Sequence, residues 1–169
     1  KMPYPKTATS KPAPGSRIAK PGKLSNADKN RLPLDVEKFA PGWKVKNWGG
    51  PGMKPGLRKN LMGRSNVLLT HPKSKDVPCV LFRTLKVPVG KKSVLRFAAN
   101  NHPQGDWMLI VRIDGDEVLQ ESIEQSKWQG FSVDLTKHAG KTINIELENR
   151  ASDWSFEAAY WHQIELVEK

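Results

Sequence analysis

The chain has 169 residues, 37% of them hydrophobic and 8% aromatic, enough for one domain with a packed interior and some tail left over. No apolar run approaches the roughly 18 residues of a membrane span, and a lone cysteine, Cys79, excludes an internal disulfide or a Cys-rich metal site. The formal charge of +11 invites a nucleic-acid partner, but its distribution argues against one: residues 1–60 hold 14 Lys and Arg against 3 Asp and Glu, whereas residues 61–169 hold 14 against 14.

Residues 1–41 read as a basic linker or wrapping arm rich in Pro, Gly and Lys. Nine of the 13 prolines fall in the first 60 residues, and proline resists both helix and sheet. Within this stretch Asp35 to Phe39 has the pattern of a single helical turn. A folded domain is expected over 42–169. It opens with an alternating strand from Gly42 to Trp48, closed by Gly49-Gly50-Pro51-Gly52, and residues 53–65 read as a loop.

From Val67 onward strands recur at short intervals. They run Val67 to Thr70, Cys79 to Val87, Val94 to Phe97, and Trp107 to Ile113 turning at Asp114-Gly115 into Glu117 to Glu121. Phe131 to Leu135, Thr142 to Glu148 and residues 158–167 complete the set. Many short strands at this spacing predict an all-β antiparallel sandwich of the jelly-roll kind, with no helix longer than a turn or two. Alternation places Ile143, Ile145, Leu147, Phe131, Val133, Leu135, Leu109, Val111 and Ile113 inward. Trp161 is out of phase with Ile164 and Leu166, so either a β-bulge sits near His162, the favoured reading, or Trp161 lies on the outer face. Cys79 and Trp107 read as core.

Strict alternation of direction sends loops 71–77, 100–106, 124–127 and 149–157 to one end, and loops 88–92, 114–115 and 135–141 to the other. The first end is rich in groups that suit a polyhydroxylated ligand: Asn100, Asn101, His102, Gln104, Asp106, Trp128, Arg150, Asp153 and Trp154. Amides and carboxylates can bridge paired hydroxyls, and indoles stack on C–H faces. Each has a purely structural alternative. Asn100, Asn101 and Asp106 can satisfy loop backbone, and Arg150 can pair with Asp153. No catalytic motif is present: no Gly-x-Ser-x-Gly elbow, P-loop, His-Glu-x-x-His or dinucleotide fingerprint. The chain is therefore read as a binding module without enzymatic activity or required cofactor. The other binding role open to it is that of a docking domain in a multidomain protein, with the basic arm on a partner or an acidic polymer.

The run Phe82 to Val87, then Trp107 to Gly115, Val133 to Thr136, Thr142 to Asn149 and Asp153 to Leu166, resembles the galactose-binding-like superfamily, and more narrowly the NPCBM type of carbohydrate-binding module. The resemblance covers roughly residues 66–167. It implies a jelly-roll sandwich, a lectin-like carbohydrate-binding role, attachment to a larger secreted bacterial protein, and hence an extracellular or periplasmic location. Relatives often carry a structural Ca²⁺, for which Asp153, Glu157 and the Asn100-Asn101 pair could supply oxygen ligands.

Overall fold

The computed structural model describes residues 26–50 and 54–169; the arm over residues 1–25 and the expected strand terminator at Pro51-Gly52 lie outside the described residues. A helix, α1 (Asn26–Phe39), precedes ten strands: β1 (Lys44–Lys46), β2 (Gly56–Leu61), β3 (Arg64–Thr70), β4 (Cys79–Lys86), β5 (Ser93–Asn101), β6 (Trp107–Ile113), β7 (Asp116–Ile123), β8 (Gln129–Asp134), β9 (Thr142–Arg150) and β10 (Ala159–Glu168). They form two five-stranded sheets, β1-β4-β9-β6-β7 and β2-β3-β10-β5-β8. Every pairing is antiparallel. This is the expected β-sandwich.

The core sits between the sheets. Ile143, Ile145 and Leu147 of β9 and Leu109, Val111 and Ile113 of β6 fill it from one side, and Leu95, Phe97 and Ala99 of β5 from the other. Burying each large aliphatic side chain contributes about 1.5–3 kcal/mol before the entropy of ordering is subtracted. Trp161 is fully buried at the centre, 5.1 Å from the Trp107 ring and 5.8 Å from Phe97. The bulge that this requires is present. The β10–β5 register shifts between His162 and Glu165, and Gln163 takes φ 52°. One extra residue there lets Trp161 and Ile164 both face inward. Phe131 and Val133 are only half-buried because β8 is the sheet edge.

Two elements differ from expectation. Asn26–Phe39 is a continuous helix, not one turn, and it runs through Pro33. Leu32, Val36 and Phe39 recur at helical spacing and are buried in the main core. Tertiary burial thus outweighs the hydrogen bond that an interior proline removes. The helix packs on β1, β2 and β3, closing the side where the edges of the two sheets meet. There the Asp35 carboxylate accepts the Leu57 N–H at 3.0 Å and covers part of the β2 edge. Residues 56–65, within the stretch expected as a loop, join the expected strand Val67 to Thr70 in the β2–β3 hairpin. Its two-residue turn, Met62-Gly63, has φ of 52° and 78°, the sign that primed hairpin turns need. No helix among the described residues is long and apolar enough to cross a membrane.

Candidate functional site

Loops 71–78, 102–106, 124–128 and 151–158 all leave the sandwich at one end, and side chains tie them into a rim. Asn101, at the end of β5, does most of the joining. Its Nδ2 donates to the carbonyls of His102 (3.0 Å) and Gly105 (2.8 Å), and its Oδ1 accepts the Ser126 N–H at 2.9 Å. Asn100 uses its side-chain oxygen on the Asn101 N–H, and its carbonyl accepts the Trp107 indole N–H at 3.0 Å. Both asparagines are completely buried. They are therefore removed from the set of residues that could touch a ligand; satisfying loop backbone is what they do.

A buried relay supports loop 151–158. The Trp161 indole donates to the Thr70 hydroxyl (2.9 Å), which donates to Asn149 Oδ1 (3.0 Å), and Asn149 Nδ2 donates to the Glu157 carbonyl at 3.0 Å. The Glu157 carboxylate, also buried, accepts the N–H groups of Ser152 (3.1 Å), Asp153 (3.2 Å) and Ser155 (3.2 Å). One acidic side chain thus shapes the loop by gathering three main-chain donors. The Ser152 hydroxyl donates to Asp106, joining this loop to 102–106. The two loops also touch at Gly105, where an added Cβ would overlap the Phe156 carbonyl and side chain. Phe156 itself takes φ 53° and stacks on His102, ring centroids 4.3 Å apart.

His102, Gln104 and Asp106 lie on loop 102–106, which the Ser152–Asp106 bond and the His102–Phe156 stack join to loop 151–158, the bearer of Asp153 and Trp154; Asp153 lies beside Asp106. His102 Nδ1 accepts the Gln104 N–H at 3.0 Å, and burial pushes the imidazole below its ordinary value. Trp154 is 40% exposed, the one tryptophan among the exposed large hydrophobics. Its ring meets the edge of His71 at 5.2 Å and 82°. His71 is buried, its Nδ1–H donates to the Pro72 carbonyl at 2.8 Å, and burial lowers its pKa despite that bond. A neutral imidazole therefore braces the exposed indole.

The structure sets Trp128 and Arg150 apart from this group. Trp128 packs over a second apolar cluster of Val67, Leu69, Ala158 and Tyr160, and its indole donates to the Met62 carbonyl at 2.8 Å. Arg64 lies 5.0 Å above its ring and His162 5.6 Å away. These contacts place it on the outer face of the β2-β3-β10-β5-β8 sheet. Arg150 pairs with Glu148 (3.4 Å), which Arg112 also holds at 3.1 Å, so the expected pairing with Asp153 is replaced by a cross-strand network on the other sheet. Ser152, Phe156 and Gly105 were not singled out as site residues from sequence. Only Gly105, a glycine in a polar turn, carried a visible cue there.

Asp106, Asp153 and Glu157 each offer an oxygen within 4.8 Å of the others, so the expected Ca²⁺ ligands Asp153 and Glu157 acquire a third partner. Hard cations need six or more oxygens. A cation here would compete with the three N–H groups already aimed at Glu157, and Asn100 and Asn101 are committed to the loops, so the donor set fits Ca²⁺ poorly. Cys79 is buried, and burial pushes its thiol up to about 12.

No family model matches the chain, and no curated protein matches it. Among solved structures, the chain is similar to the CBM22-1 xylan-binding domain of Paenibacillus barcinonensis Xyn10C, at 14% identity and TM-score 0.55, over 89% of this chain and 97% of that one. It is similar to the K3 cleaved adhesin domain of Lys-gingipain from Porphyromonas gingivalis W83, at 12% and 0.55, over 79% and 96%. A third is TmCBM61, solved with β-1,4-galactotriose, at 16% and 0.50, over 80% and 94%. At such identities the likeness establishes a shared sandwich fold.

Proposed function

We propose that this chain is a non-catalytic carbohydrate-binding module of a larger secreted protein, and that it takes its ligand on the rim around Trp154. The observation that carries this is the exposed indole itself, braced by His71 and set on a loop whose backbone Glu157 has pre-formed. An exposed indole is a platform for the C–H face of a pyranose. Pre-formed loops spare the ligand the cost of ordering them. His102, Gln104, Asp106 and Asp153 stand nearby to meet hydroxyls. Similarity to the xylan-binding CBM22-1 and to the galactotriose-bound CBM61 supports a glycan ligand; the narrower NPCBM assignment rests on the sequence pattern. A hydrolytic role is disfavoured because two of the three clustered carboxylates are engaged, Glu157 by main-chain donors and Asp106 by the Ser152 hydroxyl, whereas a glycosidase needs two carboxyl groups facing one bond. The buried, weakly acidic Cys79 is compatible with an extracellular or periplasmic setting.

Affinity measured against xylan and β-1,4-galactan with the parent and Trp154→Ala tests the reading. The variant is expected to lose about tenfold or more in affinity, about 1.4 kcal/mol, with an unchanged melting temperature. Absence of binding by the parent to any neutral glycan, or full binding by the variant, would overturn it. A second reading, a docking domain for other parts of the same protein, is favoured by the amount of rim hydrogen bonding that Asn100, Asn101 and Asn149 spend internally. Under that reading neither xylan nor galactan is bound while a neighbouring domain is.

A further inference from the structure

A groove of about 450 Å³ lies between α1 and the β2–β3 hairpin, and its lining holds none of the rim residues. The helix contributes Arg31 and Lys38, the hairpin Arg58 and Lys59. Among the described residues one carboxylate lines it, Asp35, and that one is spent: it is nearly buried, paired with Arg31 at 3.4 Å and bonded to the Leu57 N–H. Lys38 and Lys59 are exposed and form no ion pair among the described residues.

The charge excess of the whole chain lies in its first 60 residues, and four of the 14 Lys and Arg found there, Arg31, Lys38, Arg58 and Lys59, line this groove. Residues 1–25 hold six Lys and Arg and no acid, so they offer no negative charge to a cationic groove. The occupant must carry negative charge from outside. Among the described residues the lining includes no aromatic side chain on which bases could stack, which disfavours a single-stranded nucleic acid.

We infer that the groove binds an anionic polysaccharide, one bearing carboxylate or sulfate groups along its length, as a second site separate from the rim. The polysaccharide class rests on the carbohydrate reading above; the anionic requirement stands on the groove alone. Electrostatic attachment of this kind releases counterions, so affinity falls steeply with salt, by about tenfold or more between roughly 50 and 200 mM.

The test uses the full chain over immobilised polygalacturonate, dextran sulfate and uncharged dextran, with xylan as the rim ligand. Binding to one or both acidic polymers, but not to uncharged dextran, is expected, and the two acidic arms separate carboxylate from sulfate recognition. Lys38→Gln with Lys59→Gln is expected to lose at least fivefold on the acidic polymer and nothing on xylan. Trp154→Ala should do the reverse, so either proposal can fail alone. Lys137→Gln with Lys141→Gln, which removes the same charge from an exposed loop at the other end, should bind as the parent does. Equal losses in the two double variants, no loss in the first, or DNA competing as well as the polysaccharide would overturn the inference.

Discussion

Where β6 turns into β7, Asp114 and Gly115 take φ of 50° and 85° and close the hairpin in two residues. The neighbouring turns at that end are sealed mainly by main-chain bonds: Val87 N–H to Lys141 O, Gly140 N–H to Val87 O, and a reciprocal pair between Lys92 and Lys169. At the opposite end the loops are longer, and side chains seal them: Asn101, Asn149, Glu157 and the Thr70 hydroxyl. Backbone closure asks little of residue identity beyond a glycine in the turn. Side-chain closure needs a particular amide or carboxylate at a particular place, and in return it holds open loops in one shape. That is why the rim can present an exposed tryptophan and the other end cannot.

Substituting one glycine at each end tests this contrast most directly. Gly105→Ala forces a Cβ into Phe156 and separates two rim loops, with an expected cost of about 3 kcal/mol in a denaturant melt. Gly115→Ala meets no atom within 4 Å and carries only the penalty of a positive φ, about 1 kcal/mol. Equal costs would mean the ends are not built differently. Asn149→Ala comes between them, at about 2 kcal/mol, because it strands the buried Thr70 hydroxyl and the Glu157 carbonyl. A loss below about 0.5 kcal/mol would show that water replaces the amide.

The smallest and most graded effect is that of pH. Burial holds His71, His102 and His162 below the ordinary imidazole value. The unfolded chain therefore takes up protons near pH 6.5 that the folded chain refuses until lower pH. The stability these residues contribute is fully present above about pH 6.5 and is lost as pH falls toward their folded values. The melting temperature should decline between about pH 7 and pH 5, and Trp154 fluorescence should change in the same interval, since His71 abuts its ring. A melting temperature flat across that interval would contradict the assignment of neutral, buried imidazoles to the rim.

Much of the fold was legible without coordinates. Alternation in Thr142 to Glu148 and in Trp107 to Ile113 named the inward side chains, Asp114-Gly115 named a turn, and the phase slip at Trp161 named the bulge. These are local signals, because side-chain direction in a strand has period two whatever the strand packs against. The convergence of the loops followed from the same parity. The helix α1 was hidden because Pro33 and flanking charge mask a three-residue apolar stripe, which counts only once a sheet edge is there to bury it.

Which polar residues of the rim face solvent was a tertiary decision. Asn100 and Trp154 belong to the same set by composition and loop membership, yet one is sealed inside and the other stands out. A buried amide is stable only where its partners are, and those partners, the Gly105 carbonyl and the Ser126 N–H for Asn101, come from different loops. Strand periodicity is written along the chain; the matching of donors to acceptors across loops exists only after the strands have brought those loops together.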